Sequence, residues 1–322
     1  MNLNKSGPEI PVLLCFDGNY LNHAAVASWS AHKNAASNVV FHWFSTKECE
    51  EQAINLKKRL ENLGMKINLL SVDLAMISEW KTGYHFTSAT YLRLFAPHLL
   101  VEHKKIIYLD CDVLVITDMK ALFELNMGES LFAGVIDEGG EVSSKVPRVS
   151  GDRYINGGVL LMNLEGLRND GFLEKVQDLY PKIEKQITWA DQCLINKYAE
   201  GRKIIVDARW NRQIFSPQAN EANFRKLANP QISSILHFIG GVKPWQAWCN
   251  PSISKYWWDF ANELEIDGLK PSPITSVEQL IALGNVQHLN GHFEQASSIK
   301  SRAIQSLLDH LRNAPKAHSK VG

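Results

Sequence analysis

Ile106-Ile107-Tyr108-Leu109-Asp110-Cys111-Asp112-Val113-Leu114-Val115-Ile116 sets two carboxylates inside an otherwise almost unbroken apolar run. Such a run reads as a buried strand. In extended backbone, alternate side chains share a face, so Asp110 and Asp112 point one way and Cys111 the other. Two charges in apolar surroundings must be paired, or bind a cation, to offset their desolvation. Two carboxylates at one strand end suit a hard divalent ion, Mg2+ or Mn2+. The bland alternative is a chance D-x-D held in structural ion pairs, and placement inside the strand weighs against it.

Upstream, Val12-Leu13-Leu14-Cys15-Phe16 reads as a buried first strand ending at Asp17-Gly18-Asn19-Tyr20. A helix from about Leu21 to Lys33 follows, then strand Val39 to Phe44. Ser45-Thr46-Lys47-Glu48 reads as a capping box. The helix it opens carries Ala53, Leu56, Leu60 and Leu63 on one face and stops at Gly64. Strand Ile67 to Val72 completes β-α-β-α-β. This alternation predicts an α/β fold with a mostly parallel sheet, helices on both faces, and a ligand crevice at the C-terminal strand ends, where Asp17, Asp110 and Asp112 fall. Neither a G-x-G-x-x-G after the first strand nor a P-loop is present, so phosphate charge must be met by metal and isolated basic groups.

Downstream, Phe132 to Asp137 is another strand ending in a carboxylate. The polar, glycine-bearing stretch 138–153 reads as a loop able to close as a lid. Tyr154 to Leu164 re-enters the core with Asn156 at its threshold, and a helix starting near Thr188 carries Asp191 and Gln192 in its first turn. An Asp there commonly only complements the helix dipole. Arg93, on a short apolar helix, serves either a buried ion pair with Asp110 or Asp112 or a ligand anion. In Ile235 to Trp245, His237 reads as a strand-end histidine followed by Gly240-Gly241 and Lys243. These offer one metal ligand, close backbone approach and one ammonium for a phosphate.

Five pieces in order, Asp17 to Tyr20, Arg93, Asp110-Cys111-Asp112, Asn156-Gly157-Gly158 with Asp191-Gln192, and His237 to Trp245, together resemble the family 8 retaining glycosyltransferases. The likeness is nearest to bacterial galactosyl- and glucosyltransferases of lipooligosaccharide and lipopolysaccharide core synthesis. It implies a GT-A, Rossmann-like domain over residues 11–260. It also implies Mn2+ (or Mg2+) on Asp110, Asp112 and His237, and a UDP-sugar donor whose uridine meets Asp17, Asn19 and Tyr20. Cys111 counts with the donor-binding residues, Gly240 and Lys243 with the phosphates, and Arg93, Asp137, Asn156, Asp191 and Gln192 with the sugar, Gln192 nearest the anomeric carbon. The product implied is an α-linked hexose on an oligosaccharide or glycolipid acceptor. The rivals are a haloacid dehalogenase-type phosphatase, which also uses D-x-D but near its N-terminus, and an inactive sugar-nucleotide binder.

Composition narrows the rest. The chain has 322 residues, 45% apolar, with 34 Lys+Arg against 34 Asp+Glu, so no global basic field invites nucleic acid. Five cysteines without a C-x-x-C suggest a reducing compartment and no structural zinc. Met1 to Glu9 has no apolar core of a signal peptide, and no apolar run approaches the roughly 18 residues of a membrane span. The expectation is a cytoplasmic protein, at most peripheral at the inner membrane through a weakly basic tail. Past Pro271-Ser272-Pro273, a capping box at Thr275 to Glu278 opens a helical hairpin over 274–313, spaced like one tetratricopeptide unit. One such unit cannot cover its own apolar face, so docking on the main domain or homo-oligomerisation is expected.

Overall fold

The computed structural model describes residues 9–73, 75–77, 79–80 and 87–313. Residues 1–8 of the polar N-terminal stretch lie outside them. The strands are β1 (Ile10–Phe16), β2 (Val39–Ser45), β3 (Lys66–Ser71), β4 (Ile106–Leu109), β5 (Val113–Val115), β6 (Phe132–Ile136), β7 (Ile155–Met162), β8 (Lys203–Ile205), β9 (Arg212–Phe215) and β10 (Ile235–Ile239). A seven-stranded sheet runs β3-β2-β1-β4-β7-β6-β8. Its first four strands are parallel, β7 is antiparallel to both β4 and β6, and β8 is parallel to β6. The fold is the mixed, mostly parallel α/β sheet that the alternating pattern predicts.

Both faces of the central strands are buried, and alternate side chains go to opposite sides. Leu13, Phe44, Tyr108 and Leu160 point into a core shared with Tyr91, Leu92, Phe172, Val176 and Leu194, from the 3-10 helix Ser88–Phe95 and helices Phe172–Ile183 and Ala190–Tyr198. On the other face Trp43 donates its indole N–H to Ser28 Oγ at 3.0 Å, and packs edge-on against Phe16. Ser28 belongs to helix Leu21–Asn34, whose alanines Ala24, Ala25 and Ala27 are fully buried and let it lie close to the sheet.

The stretch that anchors the sequence reading is not one strand. β4 ends at Leu109, Asp110 to Asp112 form a turn, and β5 leaves the main sheet to pair antiparallel with β10. The two aspartates therefore converge through a turn rather than by strand alternation. An apolar run cannot reveal such a break, because both halves are equally buried and only the partner strands differ.

Local signals shifted too. Ser45 ends β2, and a 3-10 turn Lys47–Cys49 precedes helix Glu50–Asn62, so the expected capping box does not form there. Stretch 138–153 opens with helix Glu138–Ser143. Glu141 anchors it by bonds to Arg153 Nε at 2.6 Å and Tyr154 N at 3.2 Å, and a buried Lys203–Asp152 pair of 2.7 Å fixes its far end.

The chain divides into two compact units. The first runs through Gln213 and includes Leu227–His237; the second holds Ile214–Lys226 and everything from Phe238 onward. In the second, helices Val277–Leu289 and Phe293–Asn313 form the hairpin. Its box is Ser276 with Gln279, one residue later than the sequence suggests. Gln279 Oε1 meets the backbone N–H of both Thr275 and Ser276, which is why either residue looks eligible as the cap. The helices approach through small residues: Ala296 and Ala303 are buried, and Gly284 faces Lys300 and Ile299. Asn290 Oδ1 accepts from Glu221 N at 3.1 Å, which ties the hairpin to helix Glu221–Leu227 of the same unit. Among the described residues no helix is long and apolar enough to cross a membrane.

Candidate active site

Three chain segments meet where β4 ends. The β4–β7 ladder continues one step beyond the strand, with Asp110 N donating to Gly158 O at 2.8 Å. The β5–β10 register sets His237 opposite Val113, next to Asp112. His237 is thus in mid-strand, directly opposite Val113. Its Nε2 lies 3.3 Å from Asp112 Oδ1 and 3.8 Å from Asp110 Oδ2. The three donor atoms fall within 4.8 Å of one another, and two carboxylates with an imidazole form a set suited to Mn2+ or a similar divalent cation.

The cradle requires glycine: a Cβ at Gly158 would lie 2.1 Å from His237 Cε1. Another group, His42, Glu102 and His103, also gathers metal-type donors. There, however, the two Nε2 atoms are 2.9 Å apart, a hydrogen bond between the rings, and burial pushes the His42 imidazole down to about 4. That pair satisfies itself.

Arg93 organises the polar side of the site. It is buried, with Tyr108's ring 4.0 Å from its Cζ. Its Nε meets Asp191 Oδ2 at 2.6 Å, its Nη1 donates to Gly157 O at 2.5 Å, and its Nη2 lies 3.4 Å from Asp110 Oδ1. The ion-pair reading of Arg93 is correct, but Asp191 is its main partner. Asp191 is accordingly no dipole-complementing surface residue. It is 1% exposed and also accepts from Thr90 Oγ1 at 2.6 Å. Burial lifts its carboxyl to about 6 despite the guanidinium and the hydroxyl. Ala190, just before it, has φ +42°, an uncommon conformation for a residue with a Cβ.

Asp137 joins the remaining pieces. Its Oδ1 accepts from Gly140 N at 2.8 Å, capping the helix that starts at Glu138. Its Oδ2 accepts from Asn156 Nδ2 at 3.1 Å and from Gln192 Nε2 at 3.0 Å. Gln192 Oε1 in turn accepts from Gly157 N at 2.7 Å, so the amide is held at both ends. Asp17 Oδ1 accepts from Asn19 N at 2.9 Å and Tyr20 N at 3.2 Å, shaping the loop that starts helix Leu21–Asn34. Burial, then Asp112, raises the Tyr20 phenol, which marks its nearness to the D-x-D turn. Cys111 is buried and donates to Cys15 O at 3.3 Å, so it fastens the turn to β1.

The first unit therefore gathers Asp110, Asp112, His237, Arg93, Asp137, Asn156, Asp191 and Gln192 through the contacts given above. Gly240 and Lys243 belong to the second unit, where Lys243 Nζ donates to Phe238 O at 2.7 Å. Gly240 has φ +79° and a Cβ there would meet Phe215 at 2.8 Å, so glycine is required on both counts. Sequence reasoning missed Asn211, which is buried between His237 and Asn156. A lone Asn after Trp210 carries no local signal.

A mixed α/β sheet that gathers two carboxylates and an imidazole at the end of a parallel strand belongs to the class of folds able to hold a divalent cation at a ligand crevice. Comparison makes the class specific: residues 11–249 match glycosyl transferase family 8, and the chain belongs to that family. A probable glycosyl transferase Gly of Streptococcus gordonii is 26% identical over 208 residues, 65% of this chain but 29% of that protein. The lipopolysaccharide 1,3-galactosyltransferase of Salmonella typhimurium is 25% identical over 236 residues, covering 69% of this chain and 68% of that one. The galactosyltransferase LgtC, solved in complex with donor and acceptor sugar analogs, superposes with a TM-score of 0.67 at 22% identity, over 80% of this chain and 97% of that chain. The fold is thus the GT-A type, and the phosphatase alternative falls with the family assignment.

Proposed function

We propose that this protein is a retaining transferase that moves a hexose, galactose or glucose, from a UDP-sugar to a glycan acceptor of the lipopolysaccharide or lipooligosaccharide core, forming an α-linkage. The observation that carries the reading is the convergence of Asp110, Asp112 and His237 beside an amide, Gln192, that is clamped at both ends. The Salmonella relative's name supports the acceptor class and favours galactose. Asp110, Asp112 and His237 would hold a divalent cation, whose contribution when bound is positive charge against a diphosphate leaving group. By resemblance, Asp17, Asn19 and Tyr20 receive the uridine, and Gly240 and Lys243 serve the phosphates.

The chain's own residues favour attack on the leaving-group face over double displacement. A covalent intermediate needs a nucleophilic carboxylate. Asp191 is buried and engaged by Arg93 and Thr90, while Asp137 has Oδ1 on a helix cap and Oδ2 on two amides. Gln192 offers only an amide, suited to orienting and stabilising a sugar that gains positive charge at C1. Arg93 sets the positions of Asp191, Gly157 and Asp110 together, so the walls of the sugar pocket are fixed before substrate arrives.

The test is a panel of UDP-sugars with Mn2+, read by UDP release and by NMR of the product on a lactose-type or core-oligosaccharide acceptor. One UDP-hexose should give an α-linked product, and EDTA should abolish its formation. A β-linked product, or full activity in excess EDTA, overturns the reading.

A further inference from the structure

Asn211 is 1% exposed and has no part in the chemistry above. Its Oδ1 lies 2.9 Å from His237 Nδ1 and its Nδ2 lies 2.8 Å from Asn156 Oδ1. An amide has one accepting and one donating end, so its orientation decides where the histidine proton resides. The surrounding groups fix that orientation. The Asp137 carboxylate accepts, which turns Asn156 Nδ2 toward it and Asn156 Oδ1 away. On its far side, Asn156 Oδ1 meets Gly158 N at 2.9 Å, a backbone N–H that can only donate. Asn156 is thus oriented from both ends, so Asn211 must present Nδ2 to it and Oδ1 to His237.

We propose that Asn211 is a positioning residue: it holds His237 in the Nδ1–H tautomer, so that the Nε2 lone pair faces Asp110 and Asp112, and the hold originates at Asp137. Two further features agree. At 3.3 and 3.8 Å, Nε2 is farther from both carboxylates than the roughly 2.7–2.9 Å of a charge-assisted N–H···O bond. Gly158 also packs close against the ring, since a Cβ there would come within 2.1 Å of Cε1, and so helps to hold the imidazole with Nδ1 on Asn211. An amide rather than a carboxylate behind the histidine fixes the tautomer without adding another negative charge beside two aspartates. The same Asp137 oxygen holds Gln192, so the cation side and the sugar side of the pocket share one anchor.

The tautomer is read on metal-free protein by long-range 1H–15N NMR of the histidine rings at about pH 8, where an ordinary imidazole is neutral. It therefore holds or fails independently of sugar transfer; only the cation-binding arm rests on the proposed function. Wild type should show a protonated Nδ1 and a bare Nε2. Asn211→Asp keeps an acceptor toward Nδ1 and should keep that spectrum, with Mn2+ affinity equal to or tighter than wild type. Asn211→Leu removes the acceptor; it should shift the proton toward Nε2 and weaken Mn2+ binding, by calorimetry, about 10- to 100-fold. A wild-type proton on Nε2, or wild-type tautomer and affinity in Asn211→Leu, overturns the proposal. If Asn211→Leu does not fold, the wild-type and Asn211→Asp spectra decide, and a proton on Nε2 in either overturns it. A wild type with the Nδ1–H tautomer but no Mn2+ binding upholds the positioning role and overturns the metal reading instead.

Discussion

The end of β4 and the C-terminal hairpin treat their side chains in opposite ways. Around β4 nearly every functional group is polar, buried and held from two directions: Gln192 by Asp137 and Gly157, Asn156 by Asp137, Gly158 and Asn211, Arg93 by Asp191, Gly157 and Asp110. In the hairpin the contact between helices is made by Ala296, Ala303 and Gly284. Phe293, Ile304, Leu307 and Leu308 remain exposed, Phe293 at 62%. The first region gains specificity from a satisfied polar network, in which removing one member orphans its neighbours. The second is joined through small apolar residues packed helix against helix, so single changes are felt locally. This contrast ranks the predictions.

Asp112→Asn should have the largest effect, lowering UDP-sugar turnover by about 10³-fold, the upper end of what is lost when a charge-stabilising group leaves such a site. The thermal midpoint should barely move. Near-normal turnover would remove the cation site from the chemistry. Gly158→Ala comes next: its Cβ has no place beside His237, so Mn2+ binding should weaken more than about tenfold and stability should fall by about 1–3 kcal/mol. Calorimetry and a melting curve check both, and an unperturbed variant would show that the cradle is looser than its distances imply.

Gln192→Ala should lower kcat about 10²-fold while UDP affinity stays within about threefold, because its role belongs to the transition state. An equal loss in both would make it an ordinary binding contact. The Asp191 effect is smaller and depends on pH. Its carboxyl, lifted by burial from the ordinary 3.8 to about 6, ionises fully only above about 6. Activity that needs the Arg93 partner should therefore decline below pH 6, up to about tenfold per unit. Stability runs the other way. The folded chain holds this proton more tightly than the unfolded one, so the favourable contribution is present below 3.8 and lost as pH rises through about 6. Asp191→Asn should lack that acid limb in a pH–rate profile.

Ending the chain at Pro271 should have the smallest effect, with UDP release within about threefold of the full chain, since loss of surface-packed elements perturbs chemistry little. If the exposed apolar row of the last helix joins subunits, light scattering should show a drop in mass. Lost hydrolysis in a well-folded truncated protein would erase the contrast between the two regions.

Much of the architecture was legible because it is local. Alternating apolar strands and helices with buried faces gave β1 to β3 and helix Leu21–Asn34 within a residue or two, while the next helix starts later than its expected box; Asp110, Asp112, Asn156, Gln192 and His237, singled out by residue type and placement, are among the groups the fold brings together. The errors were of another kind. Asp110 and Asp112 looked like same-face residues of one strand, yet they line a turn between two sheets. Asp191 looked like a helix-dipole residue, because its partner Arg93 is 98 positions away.

Sequence alone determined which segments are buried and in what order they come, since burial periodicity and turn chemistry are properties of neighbouring residues. Tertiary structure decided which groups meet: Asp137 with Gln192 across 55 positions, and Asn211 with His237 across 26 and with Asn156 across 55. Those meetings set the proton on an imidazole and the tilt of an amide. Hydrogen-bond direction depends on partners brought close only when the sheets form, and no local spacing encodes it.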